Sequence, residues 1–191
     1  MSPTDAELAQ QALGGSQAAY HQLTSRYATA AVNFAARLVR DRAVAEELAQ
    51  EAFLRAFDRL ASYDVSRKFS SWFFQIVHNI TVDYLRRSRV ETVSLDVLES
   101  TGHPAADTAT SAPDEQAEQT ALADALDKAL TAVRPEYREA ILLRYREDLS
   151  HHEIAEIMRL PIGTVKTYLH RARKELADVM SGLGWGLPPE A

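Results

Sequence analysis

The chain has 191 residues and carries 21 Lys and Arg against 27 Asp and Glu, so its formal net charge is −6. This length provides one ordinary domain or two small ones, and the charged fraction of 25% is that of a soluble globular protein. The absence of Cys excludes disulfides, thiolate metal sites and cysteine nucleophiles. No apolar run reaches the roughly 18 residues of a spanning helix, and Met1–Glu7 is acidic without a signal-peptide core. We therefore expect a cytoplasmic protein that does not insert into a membrane.

Hydrophobic residues recur at helical spacing over residues 1–90, and no alternating strand pattern is persuasive. Thr4 begins a capping-box pattern, and Ser16 and Asp41 are suitable N-caps for the next two helices. A fourth helix is predicted from near Ser70 to Arg87. Four helices in this length predict a compact all-α domain over residues 1–90.

Residues 91–117 are predicted to form an acidic flexible linker, because they contain chain breakers and little apolar periodicity. The stretch 91–127 has nine acidic and no basic residues, whereas 66–90 has five basic residues and one acidic residue. Two roles are open for the linker: imitation of nucleic acid inside a basic channel, or shielding of the basic faces in the free protein.

A second helical domain is predicted over residues 118–181, followed by a mobile Gly/Pro-rich tail over 182–191. Ser150 begins another capping box, and Pro161 forces a turn before the last helix. This pattern predicts a helix–turn–helix. Arg159 occupies the turn position that such units usually fill with Gly, which costs on the order of 1 kcal/mol if the residue is left-handed.

The last helix has apolar residues at core spacing on one side and hydrogen-bonding and basic residues on the other. Hydroxyl groups can contact base edges, while Arg and Lys contact phosphates or guanine. A surface helix of an ordinary bundle is the alternative. The candidate DNA-contacting residues are Thr164, Lys166, Thr167, His170, Arg171, Arg173 and Lys174.

These motifs together resemble the sigma-70 family, specifically the extracytoplasmic-function (group IV) sigma factors. In the C-terminal half the resemblance rests on Pro135–Tyr145, Gly163–Lys166 and Leu169–Leu176. In the N-terminal half it rests on Ala45–Phe57 and Phe69–Asn79. Both halves occur in the order expected for the family.

The resemblance implies that residues 1–90 are region 2, which binds the clamp of the beta-prime subunit of RNA polymerase core and opens the −10 promoter element. Residues 118–181 would be region 4, which reads the −35 element and meets the beta flap. The implied core-binding residues are Glu46, Glu47, Gln50 and Glu51. The implied −10 residues are Arg67, Lys68, Phe69, Trp72, Asn79, Arg86 and Arg87.

The resemblance therefore implies a transcription initiation factor with promoter DNA, polymerase core and an anti-sigma factor as partners. A sigma-like decoy that sequesters an anti-sigma factor without initiating transcription is the alternative. A stand-alone helix–turn–helix regulator leaves the first 90 residues unexplained. We expect no enzymatic activity, cofactor or metal, because His151-His152-Glu153 lacks the His-Glu-x-x-His spacing and there is no Gly-rich phosphate loop.

Overall fold

The computed structural model of the protein describes residues 2–94 and 113–185, and of residues 89–94 and 113–117 it describes the backbone alone. Within those ranges the chain forms eight α-helices and a short 3-10 turn at Leu60–Ser62. The helices are α1 (Asp5–Leu13), α2 (Gln17–Val39), α3 (Arg42–Asp58), α4 (Phe69–Ser94), α5 (Pro113–Ala132), α6 (Pro135–Tyr145), α7 (His151–Met158) and α8 (Ile162–Gly182). The predicted all-α fold class is confirmed.

Helices α1 to α4 form an N-terminal bundle whose starts follow the predicted caps. The Thr4 hydroxyl accepts a hydrogen bond from the Glu7 N–H, and the Glu7 carboxylate accepts one from the Thr4 N–H at 2.7 Å. Ser16 and Asp41 cap α2 and α3 with their side-chain oxygens. These contacts satisfy backbone N–H groups that have no partner within the helix.

The core of the N-terminal bundle is rich in aromatic rings. Phe73 and Phe74 of α4 are fully buried, and the Phe73 ring lies 4.7 Å from the Phe53 ring of α3. Phe34 of α2 meets Phe74 edge to face at 5.6 Å. Ring contacts of this kind add to the stability gained from apolar burial, so α2, α3 and α4 are held in a defined relative position.

Helices α5 to α8 form a C-terminal bundle that ends in the predicted helix–turn–helix. Ser150 and Glu153 make the reciprocal capping box at the start of α7. Arg159 ends α7 in the left-handed conformation, with φ 53° and ψ 45°, and its N–H donates toward the Ala155 carbonyl. The turn therefore carries the conformational cost predicted for a residue other than Gly, on the order of 1 kcal/mol. Val165, Leu169 and Ala172 of α8 are buried as their spacing predicted, and Leu176, the fourth residue of the predicted core face, is partly buried.

The predicted linker and tail boundaries differ in detail from the helix ends. Helix α4 continues to Ser94 and α5 begins at Pro113, so both ends of the 91–117 segment are helical. Helix α8 ends in a Schellman motif, in which Gly184 has φ 86° and the Trp185 N–H donates to the Met180 carbonyl at 2.9 Å. The middle of the predicted linker (95–112) and the rest of the predicted tail (186–191) lie outside the described residues.

The two bundles pack against each other and share one continuous buried cluster. Helix α4 contacts α7, and α2 contacts α6. Arg138 of α6 joins the bundles most directly, because its guanidinium is buried and donates to four backbone carbonyls. Three of these carbonyls, on Leu130, Thr131 and Val133, lie at the end of α5, and the fourth, on Arg37, lies near the end of α2. A cation placed there is favoured by the C-terminal ends of both helices.

Burial lowers the pKa of Arg138 from its usual range to about 10. The guanidinium therefore stays protonated at neutral pH and remains a donor to all four carbonyls.

Candidate nucleic-acid interface

The surface of α8 opposite its buried side is cationic and exposed. Of the predicted residues, Thr164 is half-buried and the others are exposed. We call this exposed set, which consists of Lys166, Thr167, His170, Arg171, Arg173 and Lys174, the α8 DNA face. Side chains at these positions stand on one rigid helix, so their spacing can match a regular array of phosphates and base edges.

Two members of the α8 DNA face are oriented by contacts within the C-terminal bundle. Arg171 donates to the Tyr137 hydroxyl at 3.0 Å, and this hydrogen bond raises the pKa of Arg171. Thr167 donates its hydroxyl proton to the Gly163 carbonyl at 2.9 Å, which leaves its oxygen lone pairs available to accept. The nearby acid, Glu175, is held by Arg134 at 3.3 Å. Arg134 therefore offsets part of the negative charge that Glu175 places beside the face.

The predicted cations of the loop before α4 are already engaged by the C-terminal bundle. Arg67 forms an ion pair with Glu156 of α7. Lys68 donates to the Asp148 carbonyl at 3.0 Å, and its ammonium lies 4.0 Å from the Asp148 carboxylate. The loop and the α6–α7 turn thus meet face to face, an arrangement that sequence spacing does not indicate.

The prediction that Phe69 contacts DNA is contradicted in this conformation, because the ring is 2% exposed. Its neighbours are Tyr27 and Tyr63 at 5.3 Å, Trp72 at 5.5 Å and Phe73 at 6.0 Å. A ring enclosed by four others is a core residue and cannot stack on a base. Trp72 is only partly buried.

Three of the predicted −10 residues lie along one side of α4, at a spacing of seven residues. They are Trp72, Asn79 and Arg86, and we call them the α4 stripe. Seven residues are almost two helical turns, so these side chains point in nearly the same direction. Arg86 is exposed and lies 3.8 Å from Asp83, while Arg87 lies beside the stripe and donates to the Asp83 carbonyl at 3.2 Å.

The predicted core-binding residues form an acidic strip on α3. Glu46, Glu47 and Gln50 are exposed, and Glu51 is half-buried. Arg42 pairs with Glu46 at 3.1 Å and Arg55 with Glu51 at 2.5 Å, so the strip also contains positive charge.

Sequence reasoning missed Leu54, whose side chain is 67% exposed beside this strip. Gln50 lies three residues after Glu47, and Leu54 lies seven residues after it. This spacing places the three residues on one side of α3. That spacing was a signal that could have identified Leu54. A large exposed apolar side chain among acids is a candidate centre for a protein–protein contact.

A cleft of about 280 Å³ lies between α2 and the segment that follows α6. Phe34 and Leu142 are among its lining residues, together with Arg37, Arg146 and Glu147. Burial raises the pKa of Glu147 to about 7, although Arg146 acts in the opposite direction. This carboxyl group therefore changes its charge near neutral pH at the boundary of the two bundles.

Comparison with known proteins identifies the family. Residues 23–90 match the family model of sigma-70 region 2, and residues 123–176 match that of sigma-70 region 4. Over 175 residues the chain is 31% identical to the ECF RNA polymerase sigma factor SigW of Bacillus subtilis, which covers 88% of this chain and 92% of that protein. The chain belongs to the extracytoplasmic-function (ECF) sigma factors. The ECF RNA polymerase sigma-E factor of Escherichia coli is likewise 31% identical over 187 residues, covering 94% and 96% of the two chains.

Solved structures agree with this assignment of the sigma factor. The sigma factor RpoE of Bartonella quintana, in complex with the anti-sigma factor NepR, is 26% identical with a TM-score of 0.69, over 85% of this chain and 96% of that chain. CnrH in complex with the cytosolic domain of CnrY shares the fold, with a TM-score of 0.65 and 23% identity over 94% and 99% of the chains. The predicted family and its function in transcription initiation are therefore confirmed.

Two further properties concern only residues 2–94 and 113–185 of this sigma factor. None of the helices there is long and apolar enough to cross a membrane. The same residues contain no group of three or more His, Asp or Glu side chains placed to hold a metal ion.

Proposed function

We propose that this sigma factor brings RNA polymerase core to promoters by using three separate surfaces. The acidic strip of α3 with Leu54 binds the core, the α4 stripe with its preceding loop engages the −10 element, and the α8 DNA face reads the −35 element. The observation that carries the proposal is the exposed α8 DNA face on a helix whose other side is buried. The factor would act in the cytoplasm and without catalysis of its own.

The core-binding surface combines steering charge with an apolar centre. Glu47 has no ion-pair partner among the described residues, so its charge is available to a basic partner. Acidic groups of this kind raise the rate of encounter, whereas burial of Leu54 slows dissociation. The clamp of the beta-prime subunit is the partner that the family assignment supports.

The −10 surface requires groups that hold unpaired bases. In the α4 stripe, Trp72 offers an aromatic ring for stacking, Asn79 offers an amide for a base edge, and Arg86 offers a cation for the backbone. Extrusion of a base costs a few kcal/mol, which contacts of this kind and contacts to the polymerase would offset. Phe69 is left out of the proposed surface because it is buried.

The −35 surface is suited to duplex DNA in the major groove. Lys166, Thr167 and His170 lie in the first half of α8, the part that meets base edges in helix–turn–helix proteins. Arg171, Arg173 and Lys174 follow and are suited to phosphates or guanine. If four or five phosphates are contacted, log affinity should fall against log salt with a slope of about −4.

An anti-sigma protein is a further proposed partner. The relatives RpoE and CnrH are seen in complexes with NepR and with the cytosolic domain of CnrY. These complexes do not favour the decoy alternative, because an anti-sigma protein binds a functional sigma factor as well as a decoy.

Run-off transcription with purified polymerase core and genomic fragments tests the proposed function. We expect defined start sites only when the sigma factor is present. The Leu54→Ser variant should weaken core binding several-fold, while Leu13→Ser, which alters an apolar side chain that is 50% exposed on α1, should not. Tight binding of an anti-sigma protein without core binding or initiation would instead support the decoy.

A further inference from the structure

We propose that Tyr137 of α6 is a positioning residue for sequence recognition by the α8 DNA face. Its hydroxyl holds the guanidinium of Arg171 in one orientation before any DNA is bound. The inference rests on the proposed −35 role of α8. It deepens that role by adding a determinant of base preference that lies outside the recognition helix and does not itself need to touch DNA.

The contact that carries the inference joins an exposed side chain to a buried one. Arg171 is exposed, and its Nη1 donates to the Tyr137 hydroxyl oxygen at 3.0 Å. Within the described part of the chain, Lys166, Arg173 and Lys174 have no such side-chain hydrogen bond. Arginine side chains have many rotamers, so one that is already held loses less freedom when it binds.

The hydroxyl oxygen is itself held in place by the packing of the Tyr137 ring. Tyr137 is 5% exposed, and its ring centroid lies 5.0 Å from that of Tyr168 on α8. The guanidinium carbon of Arg134 lies over the same ring, 5.5 Å from its centroid. A phenol ring enclosed in this way has few rotamers, so its oxygen occupies a defined point beside α8.

A second link joins the start of α6 to α8, about one helical turn beyond Arg171. The Arg134 N–H donates to the Glu175 carboxylate at 3.2 Å, and the Arg134 guanidinium pairs with the same carboxylate at 3.3 Å. Because Glu175 follows Arg171 by four residues, both links lie on the same side of the recognition helix. The start of α6 therefore forms a fixed support on which the Tyr137 hydroxyl is presented to Arg171.

The donors that remain on Arg171 determine what the held guanidinium can recognise. An arginine side chain has five N–H donors, and the hydrogen bond to Tyr137 uses one of them. Two of the remaining donors can form a bidentate pair with the O6 and N7 acceptors of a guanine in the major groove. A freely rotating guanidinium can bond a phosphate oxygen or a base edge, whereas a held one meets acceptors at one location. Loss of the hydroxyl should therefore lower discrimination between bases more than total affinity.

The base preference of the reconstituted holoenzyme tests the role of Tyr137. Polymerase core and the full-length chain are mixed with variants of one promoter from the run-off experiment, in which each −35 position is changed in turn, and the bound DNA is sequenced. Tyr137→Phe keeps the buried ring and removes only the hydroxyl. At the position read by Arg171, which the Arg171→Ala variant locates, we expect Tyr137→Phe to lower the preference for the favoured base roughly 3- to 10-fold. Tyr145→Phe, which removes an exposed hydroxyl at the other end of the same helix, should change no preference.

The double variant Tyr137→Phe with Arg171→Ala separates positioning from a structural role. If the hydroxyl acts only through Arg171, the double variant should have the base preferences of Arg171→Ala alone, because the effects of a coupled pair are not additive. A loss of the same size at every −35 position, a loss that persists in the Arg171→Ala background, or an unchanged preference in Tyr137→Phe would overturn the inference. An Arg171→Ala variant that retains every base preference would overturn it as well.

The outcome for the unmodified chain separates this inference from the proposed function. If that chain directs polymerase to no defined start site, or shows no −35 preference, the proposed function fails and the inference fails with it. If the unmodified chain selects a −35 sequence and Tyr137→Phe selects it equally well, only the inference fails.

Discussion

The two basic regions of this sigma factor have similar residue types but different surroundings. The cations of α8 stand on the outside of the C-terminal bundle, and only Arg171 has a side-chain partner, the Tyr137 hydroxyl, among the contacts described above. The cations of the loop before α4 are bound by Asp148 and Glu156. The comparison teaches that a basic stretch is a DNA surface only to the extent that the rest of the chain leaves it available.

The largest effect is expected from removing the side chain that joins the two bundles. Arg138→Ala leaves four carbonyls without their donor, at the ends of α5 and α2. We expect a loss of about 3–5 kcal/mol in the free energy of unfolding, because each buried carbonyl left without a donor costs about 1–3 kcal/mol. Urea unfolding measures it. Arg134→Ala, at an exposed position of the same bundle, is the control and should cost less than about 1 kcal/mol.

A smaller effect is expected from removing charge at the α8 DNA face. Arg171→Ala combined with Lys174→Ala should weaken binding to duplex promoter DNA by about 1–3 kcal/mol and reduce the salt slope by about two. Fluorescence anisotropy over a series of salt concentrations measures both quantities. Lys128→Ala, an exposed charge on α5, provides the control. An unchanged slope in the double variant would contradict the assignment of α8.

A pH-dependent effect is expected at the cleft between the bundles. The pKa of Glu147 is raised to about 7 by burial, so the folded protein holds this proton at a pH where the unfolded chain has lost it. The stability from this group is therefore present below the unfolded pKa of about 4.3 and is lost as the pH rises through 7. Because the side chain is partly exposed, solvent screening reduces the effect to about 1 kcal/mol.

Glu147→Gln should consequently raise the free energy of unfolding at pH 8 by about 1 kcal/mol and leave it nearly unchanged near pH 4. Urea midpoints of the two proteins at both pH values provide the measurement. A difference of the same size at pH 4 and pH 8 would show that titration of Glu147 is not the cause.

The smallest effect is expected at the turn of the helix–turn–helix. Arg159 has φ 53°, a conformation that Gly adopts without a steric cost. Arg159→Gly should stabilise the protein by less than about 1 kcal/mol, since the relief of strain is partly offset by the greater freedom of Gly in the unfolded chain. Thermal unfolding measures the change, with Arg159→Ala as the matched variant that keeps the strain.

The helices were the most predictable part of the molecule, because caps and apolar spacing are local properties. Thr4, Ser16, Asp41 and Ser150 each cap the helix that the sequence assigns to them. The core side of α8 followed from spacing in the same way. The helical continuation of α4 to Ser94 was missed, although the chain breakers on which the linker prediction depended occur only later in the segment.

Which side chains are exposed and which are buried was much less predictable. Phe69 is of a residue type that can stack on bases, but it is buried. Leu54 is of a residue type that is usually found in a core, but it is exposed. Arg138 was one of many basic residues in the sequence, yet it is buried between two helix ends. Each outcome depends on contacts between residues far apart in the chain, which local patterns do not contain.

The contacts between the bundles also determine the order in which they can form. Arg67 and Glu156 are 89 residues apart in the chain, and Arg138 and Arg37 are 101 apart. During synthesis the N-terminal bundle leaves the ribosome while the residues that will cover its loop have yet to be translated. The nascent chain therefore passes through a period in which Arg67 and Lys68 are open to any nearby polyanion, and release from the ribosome ends that period.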